Sequence, residues 1–344
     1  MAHKRIYYID NIKGFAILLV VMGHVIANWY NDFNKILEND TNNDLMVWKL
    51  IYIFHMPLFM FCSGLFQPVM DEKSTMHDIW NIVIRRFKVL MIPYFFSGLL
   101  LWTVTGRPSF YWFLLVLFEF IVINLTISFV ACRFGRYSNY VESVLFLVSF
   151  LAIHVITTHY SQYEKLPLLD IGHLNLYIFF TLGYLVIKYN ILDCIFCNWG
   201  YTLSLLLFVF LYTIFYTVGI KLTAGGIVIH PLMPLAVIYA IFYFFKIKDT
   251  SVDEKEKMTV LNWLGRHSLE IYILHFFFLV RVPFVGDFIH ESALIGGGRL
   301  LFVMGISISL LMAVINMCFC YGVWLVISKS NLLSQLLLGR KYKL

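Results

Sequence analysis

The hydrophobic residues of this chain lie in long runs separated by short polar stretches. A helix that crosses a bilayer needs about 20 predominantly apolar residues. A window of that length finds ten candidates: residues 12–30, 47–68, 90–105, 109–131, 141–158, 170–188, 199–220, 227–245, 264–282 and 299–327. No polar stretch between them is long enough for a soluble domain. The pattern predicts an all-α fold, a polytopic transmembrane helical bundle of about ten spans that forms one domain over residues 1–344.

The composition agrees with a membrane protein and excludes an ordinary soluble one. Hydrophobic residues make up 60% of the 344 residues and charged residues only 13%, whereas soluble domains are under about 50% apolar and roughly 25% charged. A lone CxxC pair, Cys194 and Cys197, gives little reason to expect zinc or redox chemistry. A cleavable signal peptide is not expected, because the first apolar run is long and no small-residue cleavage site follows it.

Basic residues are distributed unevenly between the two sides of the predicted bundle. With a cytoplasmic N-terminus, seven of the 26 lie in outer loops: Lys35, Lys49, Arg107, Lys165, Lys221, Arg281 and Arg299. Lys13 lies inside the first span, and the other 18 lie in inner loops and tails. Because cytoplasmic loops accumulate Lys and Arg, the sequence predicts that both termini are inside. The basic residues form no continuous strip, so nucleic-acid binding is not expected.

The first predicted span carries ionisable residues on one helix face. Lys13 and His24 are 11 residues apart, which leaves a rotation of only about 20° and an axial separation of about 16 Å. Asp10 precedes Lys13 by three residues and lies close enough to pair with it. Asp10 and Lys13 fit two interpretations, since interfacial anchors also place charged groups near a helix end. His24 lies deeper, where an ionisable group is a functional candidate by default.

Five motifs follow one another along the chain. They are Asp10-x-x-Lys13-Gly14 with His24; Phe54-His55-Met56-Pro57 through Ser63-Gly64; Arg85-Arg86-Phe87-Lys88 with Pro93; Trp112-Phe113-Leu114; and Leu264-Gly265-Arg266 through His275. Together they resemble the acyltransferase-3 family of membrane-bound O-acyltransferases, in its fucose-O-acetylase-like branch. The family's signature is a basic residue, ten others and a histidine. Most members have Arg at position 13, and Lys keeps the charge but loses the planar bidentate fork.

The resemblance implies transfer of an acetyl or other short acyl group from cytoplasmic acyl-CoA to a glycan hydroxyl at the extracytoplasmic face. An alcohol needs a general base, and histidine has a suitable pKa for that role. His24 is predicted to be this base or a transient acyl carrier. His55 is predicted to orient it, although a packing histidine fits equally well. Glu119, within the fourth span, is predicted to line the catalytic cavity, since a carboxylate there needs a partner.

The donor is expected to be acetyl-CoA, whose phosphates require fixed positive charge at the cytoplasmic face. Lys13, Arg85, Arg86 and Lys88 are predicted to supply that charge, although topology alone would also place basic residues there. Arg266 and Glu270 are expected to form a helical pair. No histidine or cysteine spacing matches a metal motif, so no metal is expected.

A second interpretation is a polysaccharide exporter or small-solute transporter, because buried charges and ten spans also suit transport. The absence of a repeat between the halves argues against inverted-repeat transporters. The expected partners are the lipid bilayer, acyl-CoA and a glycan or lipid-linked saccharide acceptor, with a homo-oligomer left open. The resemblance points to polysaccharide O-acetylation in the cell envelope, at a bacterial cytoplasmic membrane.

Overall fold

The computed structural model describes residues 7–29, 46–106, 111–159, 171–192, 197–214, 226–250, 259–279 and 298–341, and these contain helices and no strand. The α-helices are α1 Tyr7–Trp29, α2 Met46–Gly64, α3 Met76–Thr105, α4 Trp112–Cys132, α5 Ser138–His159, α6 Tyr177–Lys188, α7 Asn198–Tyr212, α8 Gly226–Thr250, α9 Val260–Arg266, α10 Ser268–Leu274, α11 Gly298–Ile327 and α12 Asn331–Leu338. Short 3-10 segments cover Gly135–Tyr137, Ile171–Leu176 and His275–Phe278. Cys194 and the predicted outer residues Lys35, Arg107, Lys165, Lys221 and Arg281 lie outside the described residues.

Six helical segments within the described ranges are long and apolar enough to cross a bilayer: Tyr7–Asn28, Val47–Gly64, Met76–Thr105, Trp112–Cys132, Gly135–His159 and Ile306–Ile327. Shorter apolar helices cover Asn198–Tyr212, Pro231–Ile247 and Ser268–Phe278. The prediction of an all-α integral membrane protein is confirmed. Long apolar runs fold as helices in lipid because a helix satisfies its own backbone hydrogen bonds.

Helix α3 begins at Met76, well before the predicted span at residue 90. Its start is fixed by a capping box, in which the Asp78 amide donates to the Thr75 hydroxyl at 3.2 Å and the Thr75 amide donates to the Asp78 carboxylate at 2.8 Å. Such a box satisfies two backbone donors that the first helical turn leaves open. The polar segment before residue 90 is therefore the first part of a 30-residue helix, which an apolar window does not detect.

The predicted ninth span, residues 264–282, is not one continuous helix. Helix α9 ends at Arg266, α10 runs from Ser268 to Leu274, and a 3-10 turn begins at His275. The His275 carbonyl accepts a hydrogen bond from the Asn316 side chain of α11 at 3.1 Å. This bond satisfies a backbone acceptor where the α-helical ladder ends, and it fixes the place of the break.

The chain divides into two compact units, each assembled from separate parts of the sequence. The first unit contains Met1–Met56 and Ile241–Lys329, and the second contains Pro57–Ala240 and Ser330–Leu344. In the first unit α1 packs mainly against α9, and also against α10 and α11. In the second unit α3 packs against α4 and α12, and α4 packs against α5.

Close contact between α1 and α9 depends on two glycines that both belong to the sequence motifs. A Cβ atom on Gly14 would collide with the Leu261 carbonyl, and one on Gly265 would collide with the Asp10 carbonyl. Hydrogen bonds extend this contact, because Thr259 donates to the Asn11 side chain at 2.7 Å and Asn262 donates to the Tyr7 carbonyl at 3.3 Å. Small residues allow such backbone approach between membrane helices.

The second unit has a glycine contact of the same kind between α2 and α6. A Cβ atom on Gly64 would collide with the Phe180 carbonyl, and one on Gly183 would collide with the Phe61 carbonyl. Both units therefore contain a helix crossing in which a glycine on each helix lies against the backbone of the other helix.

Candidate active site

Three imidazoles and one tyrosine of the first unit are linked by ring contacts, and we call His24, His55, His275 and Tyr52 the histidine cluster. His24 is half-buried near the end of α1, and its ring centroid lies 5.2 Å from that of His275. The Tyr52 ring lies 6.5 Å from His24 and 4.7 Å from His55, in edge-to-face arrangements. Gly23 makes room for Tyr52, since a Cβ there would lie 3.0 Å from its ring.

His55 is buried in α2 with a defined hydrogen bond. Its Nδ1 lies 2.7 Å from the Ile51 carbonyl, one turn earlier in the helix. A carbonyl only accepts, so Nδ1 carries the proton and donates it. In the neutral ring, Nε2 then carries a lone pair. The backbone therefore selects one tautomer of His55, which is compatible with either the orienting or the packing role.

His275 has the same arrangement at the start of the 3-10 turn that follows α10, and it is completely buried. Its Nδ1 donates to the Ile271 carbonyl at 3.2 Å, while its Nε2 is a buried atom without a hydrogen-bond partner among the described residues. A buried polar atom without a partner is uncommon in folded proteins and often belongs to a functional site. Since the His275 ring is in contact with His24, this lone pair belongs to the histidine cluster.

Sequence reasoning missed the contact of His275 and Tyr52 with His24. His275 lies 251 positions after His24, and no spacing rule relates such distant residues. The available signal was the closing motif, which ends at His275 and begins with the segment containing Gly265. Tyr52 precedes His55 by three residues and therefore shares its helix face, which the sequence could have indicated.

Lys13 and Asp10 lie on α1 as predicted, and the helix is continuous from Tyr7 to Trp29. The 11-residue spacing between Lys13 and His24 is thus preserved on one helix. Lys13 is half-buried. The Asp10 carboxylate lies 3.9 Å from the Arg266 guanidinium Nε, so Arg266 reaches across to α1. Glu270, its predicted partner, is buried on the other side of the break at His267.

Glu119 lies on α4 in the second unit and is half-buried. The same unit contains a buried polar network that the sequence analysis did not identify. The Glu142 carboxylate forms an ion pair with Lys188 and accepts a hydrogen bond from the Tyr184 hydroxyl at 2.9 Å. Ser128 in turn donates to Tyr184 at 3.1 Å. The network joins α4, α5 and α6.

The predicted donor-binding residues of α3 point in two directions. Arg85 and Lys88 line a cavity of about 340 Å³. Arg86 is half-buried, and its guanidinium donates to the Phe66 carbonyl at 3.2 Å. Residues three apart share a helix face whereas adjacent ones do not. Arg85 and Lys88 are therefore available to an anion in the cavity, and Arg86 also contacts the protein backbone.

The cluster can perform proton transfer. A neutral imidazole with one nitrogen held as a donor offers the other nitrogen as an acceptor near neutral pH. His24 is half-buried, whereas His55 and His275 are buried. His24 is thus the most exposed of the three imidazoles in the cluster.

Comparison with known proteins identifies the family. The model of a family described as "Acyltransferase domain" matches residues 6–325. A stretch of 65 residues is 38% identical to part of the nodulation protein NolL of Sinorhizobium fredii (strain NBRC 101917 / NGR234). The matched stretch is 18% of this chain and 16% of NolL. No solved structure matches. Because the family model spans nearly the whole sequence, as the five motifs predicted, the chain is an acyltransferase and belongs to the acyltransferase-3 family.

Proposed function

We propose that this membrane acyltransferase moves an acetyl or other short acyl group from cytoplasmic acyl-CoA to a hydroxyl of a cell-surface or secreted glycan. A lipid-linked saccharide at the extracytoplasmic face would be an equivalent acceptor. The observation that carries the proposal is the histidine cluster, in which half-buried His24 contacts the His275 ring. A histidine with an available nitrogen inside a membrane helix is suited to activating a hydroxyl.

In the proposed step, His24 accepts the proton of the acceptor hydroxyl as the oxygen bonds to the acyl carbonyl carbon. The bond between that carbon and the CoA sulfur then breaks, and the sulfur takes the proton from the His24 imidazolium to leave as the thiol. A transient acyl group on His24 would give the same products in two steps. His55 and His275 orient His24 or the acceptor, because backbone carbonyls fix their own rings.

The proposal includes the basic residues that were predicted to bind the donor. Arg85 and Lys88 bind donor phosphates, which is supported by their position on one cavity wall. Arg86 adds positive charge in the same unit, and the donor-binding role of Lys13 stays a prediction from the sequence. The catalytic role of Glu119, a group whose ionisation is costly at membrane depth, stays a prediction from the sequence.

The proposed topology has about ten spans in one domain with both termini in the cytoplasm of a bacterial cell. Contacts within each unit support it. Arg133, which follows α4, donates to the Ser74 carbonyl before α3 at 2.6 Å, so these two predicted inner loops lie together. Thr259, after the predicted inner loop at 246–257, donates to Asn11 near the N-terminus.

Purified protein supplied with labelled acetyl-CoA tests the proposal. We expect release of CoA together with transfer of label to an added saccharide or, more slowly, to water. An exporter would do neither, so absence of both reactions in well-folded protein would reject the enzyme. Glycan mass spectrometry of cells with and without the gene then identifies the acceptor, through an acetyl-sized mass difference.

A further inference from the structure

The cavity beside Arg85 and Lys88 has a second wall formed by the C-terminal end of the described chain. Its volume of about 340 Å³ is at the lower end of the roughly 300–1,000 Å³ range of small-molecule sites. Gln335 of α12 and Lys341, which follows α12, line it opposite the first part of α3. The cavity belongs entirely to the second unit.

The chemistry of the lining favours an anion. Asn81, Arg85 and Lys88 occupy positions i, i+4 and i+7 of α3, so they share one helix face. With Lys341 and Gln335 they provide three cations and two amide groups, and none of the described residues that line the cavity carries a carboxylate. Phosphate oxygens accept strong charge-assisted hydrogen bonds from such donors.

The C-terminal segment is held in place by specific contacts with α3. The Ser97 hydroxyl of α3 donates to the Leu337 carbonyl at 2.9 Å. Gly339 ends α12 with φ of 70°, a left-handed conformation that glycine adopts without strain. A Cβ atom on Gly339 would also collide with the Val89 carbonyl. Gly339 thus turns the chain against α3 and brings Lys341 to the cavity.

We propose that the C-terminal segment Asn331–Lys341 completes a phosphate-binding pocket, in which Lys341 and Gln335 act with Arg85 and Lys88 on a phosphate of the acyl donor. The inference rests on the proposed function in taking acyl-CoA as the donor. Lipid headgroups carry the same phosphate chemistry, so the experiment has to separate the two sources. The C-terminal segment then forms part of the donor site in addition to its packing on α3.

The test compares Lys341→Gln with the unmodified protein in nanodiscs of neutral phosphatidylcholine and in nanodiscs that contain anionic phosphatidylglycerol. We expect the KM for acetyl-CoA to rise about tenfold in both lipids, as for the loss of one charge-assisted hydrogen bond, with kcat unchanged. Lys341→Arg should restore the KM. The thermal stabilisation that added CoA gives should also be smaller in Lys341→Gln.

Lys329→Gln is the matched control, because it removes one exposed cation that does not line the cavity. If Lys341→Gln behaves like this control, the inference is wrong. It is also wrong if Lys341→Gln changes stability only in the anionic lipid, since the pocket would then hold a headgroup. If the unmodified protein neither binds CoA nor transfers label, the proposed function itself fails, and this outcome is visible before any variant is compared.

Discussion

The Glu142 network of the second unit and the histidine cluster of the first unit differ in how fully their polar atoms are paired. In the second unit, the Glu142 carboxylate receives both the Lys188 ammonium and the Tyr184 hydroxyl, so charge and hydrogen bonds are satisfied together. In the histidine cluster of the first unit, the two buried rings of His55 and His275 each donate from Nδ1 to a backbone carbonyl. The His275 Nε2 has no partner among the described residues.

From this difference we predict a structural role for the Glu142 network and a chemical role for the histidine cluster. A buried ion pair with additional hydrogen bonds fixes helices relative to one another, and it leaves little capacity for a substrate. Buried lone pairs without partners are costly to maintain unless they are used. Both regions contain buried ionisable groups, so burial alone does not predict a catalytic role, whereas the extent of pairing differs between them.

The largest effect should come from His24→Ala. We expect the transfer rate from acetyl-CoA to fall by about 10²–10⁴-fold, the usual contribution of a general acid–base group. Thermal unfolding should stay close to that of the unmodified protein, since His24 is half-buried. Initial rates with labelled acetyl-CoA and a melting curve measure both quantities.

A suitable control is His154→Ala, which removes a half-buried imidazole from α5 in the other unit. It should leave the transfer rate unchanged. Full activity of well-folded His24→Ala would remove the central role of the histidine cluster.

Glu142→Ala should lower stability and leave the transfer rate unchanged, which is the reverse of the effect expected for His24→Ala. It leaves the Lys188 ammonium, whose side chain is 13% exposed, without its counter-charge. We expect a loss of about 3 kcal/mol in the free energy of unfolding, as for a broken buried pair. The transfer rate per folded molecule should not change. Replacing both partners, as Glu142→Leu with Lys188→Met, should recover most of the stability. If Glu142→Ala instead lost transfer activity at normal stability, the network would have a functional role.

A smaller effect is expected from the two glycine crossings. Gly14→Ala and Gly183→Ala both introduce a Cβ that collides with a backbone carbonyl, at a cost of about 1–3 kcal/mol as in overpacked cores. Only Gly14→Ala should also lower kcat, because α1 carries His24. Gly322→Ala in α11 is the control, since its Cβ would meet nothing within 4 Å. Equal kcat in the Gly14 and Gly183 variants would show that the α1 crossing does not position the cluster.

Much of the fold could be predicted because each membrane helix is specified by the residues of its own segment. Apolar runs longer than a bilayer is thick specify helices wherever they occur, and five of the six long spans follow predicted boundaries closely. The early start of α3 depends on the Thr75–Asp78 capping box, a local signal that a hydropathy window averages away. The short helix α12 is amphipathic and too short for such a window.

The site could be predicted only in part, since its assembly is non-local. The periodicity of α1 related Asp10, Lys13 and His24 correctly, because they share one helix. The contact between His24 and His275 requires the break after α10 and the glycine contact of Gly14 with α9. Neither follows from spacing within one segment. The different orientations of Arg85 and Arg86 likewise depend on where Phe66 and α12 lie.

The division of the first unit between the two ends of the sequence determines when the enzyme can become active. Between the synthesis of His24 and that of His275, the ribosome adds 251 residues. At about 5–20 residues per second this takes roughly 13–50 s. During that interval α1 is made without α9, α10 and α11, the late helices against which it packs. Nascent chains that stop before α9 would therefore be both inactive and targets for membrane quality control.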